Sequence, residues 1–298
     1  MPQWTLDDFK NAIQGNKGGI LKHLTLIPPP SEIIGATQQD FLQESGLEDS
    51  QNVDEQLTWL LDDEYEKYTH HQSEVYTTFL TQVSDWVKTN PDVYPCLDDL
   101  VNNLNVEISE LYDPKSSCQA ILLDELPNEL ALAIVALEGS ISQGRRTRAG
   151  SSLMEQLEFV LNLHGYFIDV HFKREEKVKG KNPTKLDYVF PGPDFMVKNA
   201  NQSVTCANMT TINDRYRIAL QQLQPNTNRK VLTALGAHAY SSQISKLSHD
   251  ILEEFHNNQV KVVVLENAME QLQLNDSTGT LQSYEEWFEE LKILSDFW

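Results

Sequence analysis

The residues whose types and spacing suit chemistry lie between Gly180 and Leu223. The segment KLDYVFPG has the composition of a strand and carries an aspartate, Asp187. A second short strand is predicted around residues 204–208, and a polar, basic helix begins near Asn213. Metal-dependent hydrolysis of a phosphodiester uses carboxylates that hold Mg²⁺ and a cation beside the attacking water. This order of elements therefore predicts that Asp187 lies at a site for phosphodiester chemistry.

The elements around this stretch predict a mixed α/β domain, in which strands are flanked by helices. Composition and spacing predict strands at residues 166–172, 229–235 and 260–265, and helices at 152–164, 241–255 and 282–294. The charged segment KREEKVKGKNPTK reads as a hairpin or loop before the Asp187 strand. Ser151 or Ser152 is a suitable N-cap for the helix that begins near residue 152.

The pattern before this domain is mainly helical. Residues 53–88 space apolar side chains three and four apart, which predicts one long amphipathic helix or two shorter ones. Residues 119–138 predict a mostly apolar helix, with Pro127 at a kink or restart. Residues 27–31 (IPPPS) predict an extended linker.

The charge of the chain is unevenly distributed. The whole chain of 298 residues carries a formal net charge of −21. Residues 1–140 contain 25 acidic and 6 basic side chains, whereas residues 141–298 contain 19 acidic and 17 basic ones. This asymmetry predicts an acidic, mainly helical region over residues 1–140 and a separate domain over residues 141–298. The acidic total argues against indiscriminate binding to nucleic acid, but it leaves room for a local DNA-binding face in the second half.

Cysteine usage and hydropathy predict the compartment. The three cysteines are scattered and form no C-x-x-C pair, which argues against a zinc site or a disulfide framework. The sequence contains no apolar run long enough to cross a bilayer, and MPQWTLDDFK lacks the pattern of a signal peptide. We therefore expect a cytoplasmic protein that has no membrane partner.

Four segments together resemble a known protein family. RRTRAGSSLMEQLEFVL, KLDYVFPG, TTINDRYRIAL and RKVLTALGAHAYSSQ, in that order, resemble the catalytic domain of EcoRII-type restriction endonucleases. These enzymes form the CCGG-recognising group of the PD-D/E-x-K nuclease superfamily. The resemblance covers roughly residues 141–270. It implies a restriction-endonuclease-like mixed sheet flanked by helices, with Mg²⁺ as cofactor and double-stranded DNA as partner. It also implies a homodimer, because symmetric DNA sites favour two-fold symmetric proteins.

The family's active-site positions are only partly matched. Asp187 matches the metal-binding aspartate, and Glu158 matches an acidic position on the preceding helix. The resemblance thus implies Asp187 and Glu158 as catalytic residues and Asp187 as the metal ligand. Met209 occupies the place of the catalytic lysine, while Gln222 and Met154 occupy the places of two glutamates. Methionine has no charge and cannot activate water, and a neutral amide is a weaker metal ligand than a carboxylate.

The family's base-reading triplet is better retained. Asn213, Asp214 and Arg215 match it, and Arg217 follows as in the family. Arginine donates to O6 and N7 of guanine, and a carboxylate accepts from N4 of cytosine. The resemblance therefore implies that these four residues bind DNA. The alternative is an ordinary helix start, in which Asn213 or Asp214 is the N-cap and the arginines face solvent.

A second basic cluster precedes the domain. Arg145, Arg146 and Arg148 lie between Gly144 and Gly150, and such a cluster can bind DNA phosphates. The alternative is a loop in which the three arginines have no common role.

Three functions are consistent with these features. The resemblance implies a Mg²⁺-dependent enzyme that binds duplex DNA specifically and cleaves it at a short CC/GG-containing site. Methionine and glutamine at the catalytic positions favour a non-cleaving, DNA-binding descendant of a restriction enzyme. The charge of residues 1–140 suggests a third function, in which this region contacts a basic partner or covers the DNA-binding face.

The variant Arg215→Ala tests the recognition hypothesis. Because arginine can bond two acceptors of guanine, we expect the variant to lose about 1–3 kcal/mol of specific binding per base contact. Electrophoretic shifts on duplexes with and without the CC/GG site measure this loss. Equal affinity of both proteins for specific and random duplexes would contradict the hypothesis.

Overall fold

The computed structural model of the protein describes residues 24–44, 46, 50, 52–89, 128–178, 184–209, 216–223, 229–234, 247–272 and 276–298. By packing, the chain divides into two compact units. One unit contains residues 1–29 and 66–147, and the other contains residues 30–65 and 148–298. The boundary near residue 140, which rests on charge and family resemblance, stays a prediction.

The described elements alternate between helices and strands in the second half of the chain. The helices are α1 (Pro30–Gln43), α2 (Val53–Thr89), α3 (Asn128–Leu163), α4 (Pro193–Lys198), α5 (Tyr216–Gln222), α6 (His249–Asn257), α7 (Glu266–Leu272) and α8 (Tyr284–Ser295). The strands are β1 (Lys173–Val178), β2 (Thr184–Phe190), β3 (Val204–Met209), β4 (Arg229–Ala234), β5 (Val260–Val264) and β6 (Leu281–Ser283).

The six strands form one mixed sheet, in the order in which they follow along the chain. Strand β2 pairs antiparallel with both β1 and β3, and β3, β4, β5 and β6 pair parallel. Of the two alternatives for the charged segment, a hairpin or a loop, the antiparallel pairing of β1 with β2 favours the hairpin. Strand β5 carries the β-branched sequence VKVVV between two neighbours. The predicted mixed sheet flanked by helices is confirmed.

Successive residues of β3 contribute to two different apolar clusters, as the two-residue period of a strand requires. Val204 and Cys206 belong to a cluster with residues of α2, α3 and α8. Ala207 and Met209 belong to a second cluster, with residues of α5, α6 and α7. Each face of the sheet therefore has its own core.

Helix α3 is longer than the sequence predicted. It continues through Gly139 and Gly150, so neither Ser151 nor Ser152 is an N-cap and the three arginines are not in a loop. A glycine inside a helix costs roughly 1 kcal/mol, which the burial of nearby apolar side chains offsets. Leu137 and Ile141 are among the buried residues of this part of the helix.

Two further predictions of local structure were wrong. Residues 27–31 are not an extended linker throughout, because α1 begins at Pro30, where the fixed φ of proline suits a first helical turn. The strand expected at residues 166–172 lies later, at β1, and Ile168 and Phe172 form only an isolated bridge around a turn. Within the described ranges, no helix is long and apolar enough to cross a membrane.

A buried carboxylate joins α2 to the end of the sheet. Asp54 accepts hydrogen bonds of 2.9 Å from the backbone N–H groups of Glu266 and Glu285, in the first turns of α7 and α8. In return, Glu285 accepts a 2.8 Å bond from the N–H of Val53. One side chain thus satisfies donors of two helices, each of which lacks intrahelical partners for its first N–H groups.

The variant Asp54→Ala should lower the free energy of unfolding by about 1–3 kcal/mol at neutral pH, because two enclosed N–H donors lose their acceptor. Urea denaturation measures the change. The variant Glu66→Ala is the control, because it removes a carboxylate from an exposed position of the same helix. A loss of the same size in both variants would contradict the role of Asp54 in capping.

The effect of Asp54→Ala should also depend on pH. Burial raises the pKa of Asp54 from 3.8 to about 6, so the folded protein binds this proton more tightly than the unfolded chain does. The stability gained by protonation is fully present below pH 3.8 and is lost as the pH rises through about 6. We therefore expect the variant to lose more stability at pH 4 than at pH 7. A loss that grows with pH would refute this assignment.

Candidate functional site

Asp187 lies in the middle of β2, with β1 on one side and β3 on the other. Its carboxyl group is half-buried and accepts a 2.7 Å hydrogen bond at Oδ2 from the backbone N–H of Asn208. Asn208 precedes Met209, the last residue of β3. The structure therefore brings the predicted metal ligand next to the position where the family has its lysine.

The charges around Asp187 act in opposite directions. Burial raises the pKa of Asp187, while the Asn208 N–H and the positive charges of Lys185 and Arg174 lower it. Glu175 is opposite Asp187 in the hairpin register and raises the pKa further. Lys185 reaches Glu175 instead, with 2.6 Å between Nζ and Oε1. Lys185, two residues before Asp187 on β2, is thus already paired with the carboxylate of Glu175.

Glu158, the second predicted catalytic residue, is half-buried on α3 and forms an ion pair with Arg174. The guanidinium Nη1 donates to Glu158 over 3.0 Å, and Nη2 donates to Glu155 over 2.6 Å. Burial raises the pKa of Glu158, and the charge of Arg174 opposes that effect. Arg174, to which the sequence assigned no role, therefore pairs with both Glu155 and Glu158.

The three replaced positions contain no charged side chain. Met209 is buried at the end of β3, in the cluster that contains Ala219 and Leu220 of α5. Gln222 is half-buried at the end of α5. Met154 is half-buried on α3, and its backbone carbonyl accepts a 2.7 Å bond from the hydroxyl of Tyr188. Apolar packing thus occupies the place of the family's cation.

These donors do not fit a Mg²⁺ site of the expected kind. Mg²⁺ requires octahedral oxygen ligands, and proteins usually supply one or two carboxylates beside water and substrate. Asp187 offers one carboxylate, Glu158 is paired with Arg174, and the remaining predicted position is Gln222. In the part of the chain that the structure describes, no three His, Cys, Asp or Glu side chains gather as metal ligands.

Of the predicted base-reading residues, the structure describes Arg217, in the first turn of α5. Asn213, Asp214 and Arg215 lie outside the described residues. Arg217 is exposed, and its guanidinium carbon is 5.5 Å from the centre of the Tyr216 ring. Its Nε also donates to the Tyr216 hydroxyl over 3.1 Å, so the two side chains support each other.

The predicted phosphate-binding arginines are on α3. The side chains of Arg145 and Arg146 lie outside the described residues, whereas Arg148 is half-buried. Glu64 accepts 2.7 Å hydrogen bonds from the side chains of Gln156 and Ser152. Burial raises the pKa of Glu64, whereas these two bonds and the positive charge of Arg148 lower it. The structure thus associates Arg148 with an internal carboxylate. The sequence signal for this cluster is the i, i+4 spacing of Ser152 and Gln156, two polar residues on an apolar face of α3.

Comparison with known proteins gives a consistent result. The sequence model of the EcoRII C-terminal family matches residues 118–282. The fold is similar to metal-depleted Ecl18kI in complex with uncleaved DNA, with a TM-score of 0.66 and 16% identity over 99% of this chain and 86% of that one. It is also similar to the restriction endonuclease PspGI in a complex with substrate DNA, with a TM-score of 0.57 and 12% identity over 91% and 95% of the two chains. A comparison with curated proteins finds no match. The predicted restriction-endonuclease-like fold is confirmed.

A titration with Mg²⁺ tests the fit of the metal. We expect millimolar Mg²⁺ to change the melting temperature of the original protein and of Asp187→Asn equally, because one carboxylate is a weak site for a strongly hydrated ion. The variant Asp194→Asn is the control, because it removes an exposed carboxylate from the neighbouring helix α4. A stabilisation that only Asp187→Asn abolishes would reveal a metal site.

Proposed function

Because the chain belongs to the EcoRII C-terminal family, we propose that it binds double-stranded DNA at a specific site without cleaving it. The observation that carries this proposal is Met209, an apolar side chain packed among apolar neighbours at the position that the sequence resemblance matches to a catalytic lysine. The proposal separates two activities that the family combines, which are recognition of DNA and hydrolysis of its backbone.

The loss of hydrolysis follows from the chemistry of the step. Attack on a phosphodiester develops negative charge, and a charged group that stabilises it contributes on the order of 10²–10³ in rate. Met209 supplies no charge and no proton. Lys185 is committed to Glu175, and Glu158 is committed to Arg174. Among the described residues, Lys185 and the predicted second carboxylate are thus each engaged in an ion pair, whereas metal-dependent cleavage uses such groups at the metal.

Specific binding is supported by what remains. Asp214 and Arg215 are the residue types that read C·G pairs, and Arg217 beside them is supported by Tyr216. The similar structures of Ecl18kI and PspGI are DNA complexes. We further propose that two copies of the chain bind together, because a two-fold site is matched by a two-fold protein.

A second candidate is Mg²⁺-dependent cleavage at a CC/GG-containing site. The retained Asp187, held in place by the N–H of Asn208, favours it. The reaction would require a cation and a second carboxylate in addition to Asp187, from other residues of this chain or from a second copy of it.

The acidic first half suggests regulation of DNA binding. We propose that the carboxylates of this region compete with DNA phosphates for the arginines that are predicted to bind DNA. Deleting residues 1–140 would not test this, because Phe41, Val53 and Leu57 belong to the core beside the sheet. The variants Glu32→Gln and Glu44→Gln, at exposed positions of this region, are better suited. Tighter binding to duplex DNA would support competition, and unchanged affinity would count against it.

Two assays on one preparation separate the candidates. We expect the protein to shift a CC/GG-containing duplex more strongly than a scrambled duplex, and to leave unmethylated plasmid intact with Mg²⁺. Discrete plasmid fragments would overturn the non-cleaving proposal. Equal shifts on both duplexes would overturn specific recognition. The variant Arg217→Ala should bind more weakly, whereas Lys292→Ala, an exposed lysine on α8, should bind as the original does.

A further inference from the structure

A basic cavity of about 600 Å³ opens at the N-terminal ends of β4, β5 and β6. Four of its described lining residues carry basic side chains, which are Arg229, Lys230, His256 and Lys261. Thr278 and Gly279 form part of its wall. In a chain with a net charge of −21, this concentration of cations is a local reversal of sign.

The cavity is separate from the Asp187 site. In the pairing of β3 with β4, Arg229 is beside Val204 and Ala234 is beside Met209. Arg229 and Asn208 are therefore separated by four residue steps along the sheet, or roughly 13 Å. The Asp187 site and the cavity therefore lie toward opposite ends of β3 and β4.

The two lysines of the cavity each direct their ammonium group to a backbone carbonyl and not to a carboxylate. Lys261 interrupts the apolar strand VKVVV and directs its Nζ to the carbonyl of Gly279 over 2.6 Å. Lys230 directs its Nζ to the carbonyl of Asn258 over 3.5 Å. An ammonium has three N–H donors, so one bond to a carbonyl leaves its charge and further donors for a ligand. Glu290, paired with Arg229, is the one carboxylate among the described lining residues.

The loop before β6 is held firmly by Asp276. Its Oδ1 accepts 3.1 Å bonds from the N–H groups of Thr278 and Thr280, and Oδ2 accepts a 2.8 Å bond from the N–H of Leu281. Between these bonds, Gly279 has a φ of +65°, which glycine adopts without the penalty of a side chain. The wall of the cavity is thus fixed before any ligand binds.

We propose that this cavity binds a compact phosphorylated anion of the pyrophosphate class, either free or as the diphosphate group of a larger ligand. Clustered ammonium and guanidinium groups are the usual partners of phosphate oxygens. None of the described lining residues is Phe, Tyr or Trp, so no platform for stacking a nucleobase is provided by them. A concave site encloses a small anion, whereas the backbone of duplex DNA requires an extended surface.

Calorimetric titration of the full-length chain with inorganic pyrophosphate tests the proposal. We expect saturable binding of one anion per chain, weakened about tenfold in Lys261→Gln and in Lys230→Gln, because each removes a charged donor. The variant Lys292→Gln makes the same change of charge outside the cavity and should bind as the original does. Lys261 is exposed, and circular dichroism checks that its variant is folded.

Three results would overturn the proposal. The first is the absence of saturable binding, and the second is an equal loss of affinity in Lys292→Gln. The third is a parallel loss of duplex DNA binding in Lys261→Gln, which would assign the cavity to DNA phosphates. Titration with ADP distinguishes the two sources of the anion, because tighter binding than that of pyrophosphate indicates that a larger diphosphate ligand is preferred.

Discussion

Strand β3 is the constraint on which the organisation of the sheet depends. It is the strand at which pairing changes from antiparallel, with β2, to parallel, with β4. The change brings the C-terminal end of β3 beside Asp187, while its N-terminal end lies beside Arg229. The positions of both the Asp187 site and the basic cavity are therefore set by β3 and its two neighbours, β2 and β4.

Asn208 and Met209, the last two residues of β3, contact different parts of the structure. Asn208 offers its backbone to Asp187, and its side chain accepts a hydrogen bond from Thr233. Met209 lies in the apolar cluster with residues of α5, α6 and α7, where a charged side chain would have to be desolvated. A methionine at this position is thus consistent with its apolar surroundings, and the fold holds it without burying a charge.

The sequence predicted the features that depend on local pattern. The strand at residues 260–265 and the helix over residues 152–164 follow from composition and spacing, and the structure confirms them as β5 and as the last part of α3. Contacts between distant segments leave no such trace. Asp54 accepts a hydrogen bond from the N–H of Glu285, which is 231 residues away along the chain, and Arg174 of β1 pairs with Glu158 of α3. The continuity of α3 was missed because its glycines resemble a break, although packing on both sides keeps the helix intact.

Helices α2 and α3 each run without interruption across the limits of the two compact units, near residues 65 and 147. Each limit therefore falls inside a regular helix and not in a loop. A cut of the chain near residue 65 or 147 would therefore interrupt the hydrogen bonding of a helix and leave unpaired backbone groups on both sides of the cut.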